Sequence, residues 1–283
     1  MKKIRFTKMH GAGNDFVLID DRDETFPECG SLIAAMAADR TGIGCEGVIL
    51  VRKSQRADFR MTFYNPDGTE AELCGNGSRC VAAFAKRIGA VKSNCMTFET
   101  GAGLVDAEIV DDGLVRVWMP EPQGRRYNCS AACGEDDSMS VSGDYLVVGV
   151  PHFIVPVSNL TKVDVAKSGR ALRLSPEFAP NGTNVDFVQY IPPSKALIRT
   201  YERGVEAESG ACGTGAVAAA VAGVEAHGMS LPMHIRSSQG YDLVVDGDYR
   251  QSQGTGFTLT GPVRIVFEGE LDLDHLAVEP LNY

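Results

Sequence analysis

At 283 residues the chain has room for one large domain or two of about 140 residues. Apolar residues at 44% are enough for ordinary cores, and 31 glycines with only 7% aromatics indicate a turn-rich protein of many strands. A formal net charge of -10 repels polyphosphate and so excludes nucleic acid as a partner; an anionic substrate group would need local donors.

In chain order, residues 16–19 form a short β-like run after the turn Gly11-Ala12-Gly13-Asn14. Residues 31–38 are Ala-rich and predict a helix; 47–51 and 59–64 predict strands. A second apolar, Ala-rich helix is expected over 80–88, then strands at 96–100, 104–110 and 114–119. Pro120, Pro122 and Gly124 break the pattern, and the polar stretch 125–144 after them marks the expected domain junction. Beyond it come strands at 145–150, 153–157, 184–189 and 196–201, an Ala/Val helix over 213–227, and strands at 243–245, 257–259 and 263–267. The longest apolar stretch, 216–224, is far short of the ~20 residues that span a bilayer. The N-terminus lacks the apolar core of a signal peptide. No membrane partner and a cytoplasmic location are therefore expected.

The eight cysteines are Cys29, Cys45, Cys74, Cys80, Cys95, Cys129, Cys133 and Cys212. In a reducing compartment they are thiols, and most are expected to be small buried hydrophobes. Cys129 and Cys133 have no second Cys or His pair at zinc spacing, so no metal is expected. Two cysteines stand apart because they recur in matched contexts. Gly68-Thr-Glu70-Ala-Glu72-Leu-Cys74-Gly75-Asn76-Gly77 is followed by an Ala-rich helix, and so is Gly204-Val-Glu206-Ala-Glu208-Ser-Gly-Ala-Cys212-Gly213-Thr214-Gly215. Each copy follows a strand. The copies lie near half a chain length apart, which argues for duplication into two similar domains.

A cysteine at a helix N-terminus has its thiolate favoured by the dipole, so its pKa is expected to fall toward neutrality. The glycines beyond it let first-turn N–H groups cradle a carboxylate. An amino acid held by its α-carboxylate would then present its Cα to the sulfur. Two pseudo-symmetric domains facing one another would put Cys74 and Cys212 on opposite faces of one substrate carbon. One, as thiolate, would remove the α-proton; the other, as thiol, would return one to the far face. Donors aimed at the developing charge in a closed site would stabilise the carbanion-like state. Cys80, inside the first helix and without a counterpart in the second copy, is assigned to the core.

At these residues the chain resembles the diaminopimelate epimerase family. The resemblance covers nearly the whole chain. It is carried by residues 6–16, by Asn65-Pro-Asp-Gly68 with Cys74-Gly75-Asn76-Gly77-Ser-Arg79-Cys80, by Glu202-Arg203-Gly204 leading to 211–215, and by Thr260-Gly261-Pro262. The resemblance implies an α/β (α+β) fold of two pseudo-symmetric domains, each a mixed β-sheet curled around a central helix. The domains would be 1–119 plus 266–283, and 120–265. It implies interconversion of LL- and meso-2,6-diaminopimelate for lysine and peptidoglycan synthesis, with no pyridoxal phosphate or other cofactor and no metal, in a homodimer whose partner is a small-molecule amino acid. By position, Cys74 and Cys212 would be the acid/base pair. Gly75, Asn76, Gly213 and Thr214 would hold the reacting α-carboxylate. Asn14, Asn65, Asn184 and Arg203 would read the remaining polar groups. Glu202 would face an ammonium or poise a thiol, and His152 would lie close to the second cysteine as catalytic support.

Each of these assignments has a plainer alternative. Arg203 could pair with Glu202, Glu206 or Glu208 at the surface, His152 could be structural, and Asn14 could be a turn residue. His10, His227, His234 and His275 show no constellation. Two departures from the family pattern stand out. Val150 occupies a position where many members carry an Asn that contacts substrate, and one extra residue separates Arg203 from Cys212. The competing readings are a racemase of another amino acid on the same scaffold, of histidine or hydroxyproline type, and a catalytically silent amino-acid-binding module.

Overall fold

The computed structural model describes residues 3–72, 74–133, 140–247, 256–273 and 276. The acidic stretch 135–137, His275 and residues 277–283 lie outside them. The chain divides into two compact units, one formed up to Val117 and again from Pro262, the other by Trp118–Gly261. Both changeovers fall slightly ahead of the expected 119/120 and 265/266.

The first unit contains β1 (Lys3–Gly11), β2 (Asn14–Asp20), α1 (Gly30–Ala37), β3 (Val48–Arg52), β4 (Phe59–Tyr64), β5 (Glu70–Ala71), α2 (Gly75–Arg87), β6 (Cys95–Thr100), β7 (Gly103–Asp111) and β8 (Leu114–Trp118). The second contains β9 (Gln123–Ala132), β10 (Ser140–Val148), β11 (Val150–Pro156), α3 (Val165–Arg173), β12 (Asn184–Ile191), β13 (Lys195–Glu202), β14 (Ala207–Ser209), α4 (Gly213–Ala226), β15 (Met233–Arg236) and β16 (Asp242–Asp246). The long β17 (Thr258–Asp272) starts in the second unit and continues into the first.

The strand pairings repeat. In the first unit β17 pairs antiparallel with β1 and β1 with β2; β2 is parallel to β3, β3 antiparallel to β4, and β4 parallel to β6; β6 to β7 and β7 to β8 are antiparallel. In the second unit the series β9–β10–β11–β12–β13–β15–β16–β17 has the same succession of directions. The short β5 and β14 pair antiparallel with β4 and β13 at matching places. Helix α2 packs on β1, β2, β3 and β7, and α4 packs on the counterparts β10, β11, β12 and β16. A helix that touches distant strands of one sheet requires that sheet to curl around it.

Side-chain pattern explains this arrangement. Strands of the middle sheet are buried on both faces and read as continuous apolar runs. Val17, Ile19, Val48 and Leu50 meet Ile33 and Met36 of α1. Ile49, on the opposite face by strand alternation, approaches α2 at Gly77. Each such fully buried side chain contributes about 1.5–3 kcal/mol. Helix α4 is buried all round, and its Ala, Gly and Val side chains are small enough for strands to close about it. A Cβ on Gly223 would lie 2.9 Å from both Met233 and Tyr190.

Two expectations need correction. The polar stretch 125–144 holds most of β9 and the start of β10; it is not simply a linker. Most residues of β9 face solvent, so no apolar alternation reveals that strand. Helix α3, absent from the pattern reading, is the counterpart of α1. It buries only Val165, Gly169 and Leu172, a stripe too thin to stand out.

Candidate active site

Both repeated cysteines are helix N-caps. Cys74 has φ -136°, ψ 118° ahead of α2, and Cys212 has φ -106°, ψ 107° ahead of α4. The extended backbone at each cap sets the side chain over the start of the helix, where the first turn leaves N–H groups without intrahelical acceptors. The first intrahelical bonds run from Ser78 N–H to the Cys74 carbonyl and from Ala216 N–H to the Cys212 carbonyl. Each cysteine is half-buried as a residue.

Around Cys74, the Gly77 N–H donates to Sγ at 3.4 Å. Asn14 follows a turn with positive φ at Ala12 and Gly13, and its Oδ1 lies 3.8 Å from the Cys74 sulfur, where it receives the S–H when the thiol is protonated. The Asn14 amide nitrogen donates to Glu46. The end of β1 approaches α2 so closely that a Cβ on Gly11 would lie 2.8 Å from the Asn76 carbonyl. Asn76 is buried. Asn65 closes the turn after β4, accepting from Gly68 N–H and donating its amide to Thr69.

Around Cys212 the polar groups form one chain. Sγ lies 3.5 Å from the Thr214 hydroxyl, which lies 2.9 Å from His152 Nε2. His152 Nδ1 lies 2.7 Å from Asp186, and the Thr200 hydroxyl donates to the other carboxylate oxygen at 2.6 Å. His152, Asp186 and Thr200 are fully buried. A carboxylate only accepts, so His152 carries its proton on Nδ1 and offers Nε2 to Thr214. Every donor is then used once, from the sulfur inward. Gly215 belongs to this design, because a Cβ there would lie 2.4 Å from Asp186.

The expected fall in thiol pKa is not met at Cys212. Burial pushes its thiol well up, the Glu202 and Asp186 carboxylates push it further, and the Thr214 and Gly215 contacts offset only part of this. The folded chain therefore keeps this proton at pH values where an unfolded thiol has lost it. Stability is undiminished below the ordinary thiol pKa of about 8.5 and falls above it. Urea unfolding at pH 7.5 and 10 is expected to lose less stability in Cys212→Ala than in the parent chain. Equal losses would show that the buried proton does not contribute.

Asn184, at the start of β12, accepts the Arg203 backbone N–H at 2.8 Å and so fixes the chain beside Arg203. Glu206 pairs with Arg173, and Glu208 grips Arg199 with both oxygens at 2.7 and 2.6 Å. Those two carboxylates are thus engaged elsewhere. Among the described residues no ion pair holds the Arg203 guanidinium, whose planar fork suits a carboxylate. Glu202 ends β13, and Val150 opens β11 after the positive-φ Gly149.

Asp186, Thr200 and Arg79 were missed from sequence. An acid inside the apolar run of β12 was the available signal for Asp186. His227, taken as isolated, pairs with buried Asp144 at 2.6 Å and stacks on Tyr190. Of the other cysteines only Cys45 and Cys80 are buried; Cys29 and Cys95 are exposed, Cys129 and Cys133 half-buried.

Two units of one topology, each with a cysteine capping its central helix, define a fold shared with epimerases and racemases. A hydroxyproline epimerase from Agrobacterium vitis, solved with bound trans-4-OH-L-proline, matches with TM-score 0.71 and 20% identity over 99% of this chain and 94% of that one. A PhzF-family phenazine biosynthesis protein from Bacillus anthracis matches at 0.73 and 19%, over 96% and 99%. At these identities the likeness is one of fold alone. Sequence comparison goes further. The diaminopimelate epimerase family model matches residues 6–124 and 145–264. Diaminopimelate epimerase of Aquifex aeolicus is 41% identical over 280 residues, 95% of this chain and 98% of that protein, and that of Chlorobaculum tepidum is 37% identical over 267, covering 94% and 100%. The chain belongs to the diaminopimelate epimerase family.

Proposed function

We propose that this protein epimerises LL-2,6-diaminopimelate to the meso form by transferring one α-proton between two sulfurs, serving lysine and peptidoglycan synthesis. The observation that carries this reading is the matched pair of cysteine-capped helices in a chain of this family.

In the proposed reaction the first-turn amides at Gly75–Asn76 and Gly213–Thr214 bind the reacting α-carboxylate. A thiolate removes the α-proton, and the opposite thiol protonates the carbanion from the other face. The amides stabilise charge that moves onto the carboxylate in the transition state. Asn14, Asn65 and Asn184 contribute polar contacts or hold backbone that does. Arg203 binds the distal carboxylate, and Glu202 faces an ammonium. A substrate with a second carboxylate uses that guanidinium, which no ion pair holds among the described residues; a proline-type substrate leaves it idle. The scheme uses no cofactor.

The protein is proposed to act in the cytoplasm as a homodimer. Eight free thiols suit a reducing compartment. The exposed apolar run Ile265, Val266 and Phe267 on β17 offers a surface for a second copy. Among the described residues no helix is long and apolar enough to cross a membrane.

A panel assay in deuterated water tests the reaction. LL-diaminopimelate is expected to take up solvent deuterium at its α-carbon and to turn over faster than histidine, proline or hydroxyproline. Faster turnover of a monocarboxylic amino acid would reassign the substrate. No deuterium uptake from any of them at high enzyme concentration would leave a binding module.

A further inference from the structure

Arg79 lies in α2, near its start, and is fully buried. Its Nη2 donates to Asn76 Oδ1 at 2.6 Å and its Nη1 to the Gly75 carbonyl at 3.4 Å. Among the described residues its Nε has no hydrogen-bond partner and no carboxylate pairs with it. A guanidinium stays charged in a protein. This one is removed from water, held by neutral oxygens, and placed near the positive end of a helix dipole, which disfavours a cation. Such a charge needs a nearby anion.

Burial disfavours this cation most, and its bonds to Gly75 and Asn76 hold it in the first turn that Cys74 caps; among the described residues the groups whose negative charge would favour it are the thiols of Cys80 and Cys74. Cys80 is fully buried inside the helix, and burial drives its thiol strongly toward the protonated form. Asp15 of β2, the acid that also acts on Cys80, is engaged by Lys8 at 2.5 Å. Cys74 differs. It is half-buried, caps the helix, and accepts the Gly77 N–H. The facing Asn14 carbonyl, 3.8 Å away, is a long contact that holds an S–H only weakly.

We propose that Arg79 is a positioning residue: a fixed, buried cation at the start of α2 whose missing counter-ion is the Cys74 thiolate. The second helix has no such residue. The position that matches Arg79, counted from the cysteine, is Val217, and carboxylates gather near Cys212 in place of a cation. The duplicated halves thus differ in charge where their backbones agree. The catalytic meaning of this asymmetry rests on the function proposed above; the ionisation of Cys74 does not.

The test is therefore made without substrate. Iodoacetamide alkylation of the whole chain is followed against pH, with the Cys74 peptide resolved by mass spectrometry. In the parent chain Cys74 is expected to reach half-maximal reactivity below the ordinary thiol value of about 8.5. Arg79→Gln is expected to slow Cys74 alkylation at pH 7 by about tenfold and leave it unchanged at pH 10.5, the mark of a shifted ionisation. Arg79→Lys, which keeps the charge, is expected to retain the low midpoint. A parent-chain midpoint at or above the ordinary value would overturn the proposal, and that measurement does not depend on any variant folding. So would a folded glutamine variant with the parent profile, or a lysine variant whose midpoint returns to the ordinary value. Loss of epimerase activity with these profiles intact would count against the proposed reaction and leave Arg79's role standing.

Discussion

Serine in place of Cys74 or Cys212 is expected to reduce turnover of LL-diaminopimelate by about 10²–10⁴-fold or more, the scale of a lost general acid or base. The substitution changes one atom at a half-buried helix cap, so stability should change by only about 0.5 kcal/mol. A serine hydroxyl still caps a helix well, but it ionises so far above neutral pH that it cannot serve as the base. The two variants should differ in a single-turnover exchange experiment. If Cys74 is the resting base, Cys212→Ser retains some capacity to wash out the α-proton of the substrate form presented to Cys74, whereas Cys74→Ser loses it. Steady-state kinetics beside thermal melts separates activity from folding. Wild-type turnover in either variant would end the two-sulfur mechanism.

Asp186→Ala is expected to be the most damaging single change to the second unit. It removes the acceptor of two buried donors, His152 Nδ1–H and the Thr200 hydroxyl. Leaving a buried donor unsatisfied costs about 1–3 kcal/mol each, which for the two together is roughly 10 °C in melting temperature for a protein of this size. Asp186→Asn separates the structural from the electrostatic part. Its amide oxygen still accepts from His152 and its nitrogen can donate to Thr200, so stability should fall by only about 1 kcal/mol. The charge is gone, however. One of the carboxylates that raises the Cys212 thiol then disappears. Turnover is expected to fall about 10–100-fold, and Cys212 alkylation should shift to lower pH. An asparagine variant with parent turnover and an unmoved alkylation profile would reduce the Asp186–His152–Thr214 chain to core packing.

Much of this architecture is legible in local pattern. The Gly-x-Glu-Ala-Glu repeat with its trailing cysteines marks a duplication, and the Ala-rich runs after each cysteine mark α2 and α4. Those signals are local because a helix start, a cap and a glycine turn each depend on a few neighbouring residues. What failed to register was also local but weak. Helix α3 exposes most of its surface, and β9 has almost no apolar alternation. Their counterparts α1 and β17 show what their places in the fold require.

The sequence by itself determined the repeated scaffold, the two capping cysteines and the family. Only the tertiary structure decided how the copies differ in chemistry. Ionisation depends on distance and burial, and neither can be read along the chain. Burial first, and then two carboxylates, one from the end of β13 and one from β12, raise the Cys212 thiol, while a cation buried in α2 is held in the turn that Cys74 caps. Equivalent backbones thus carry opposite charges, because strand pairing brings Asp186 to one helix start and helix burial strips Arg79 of water at the other.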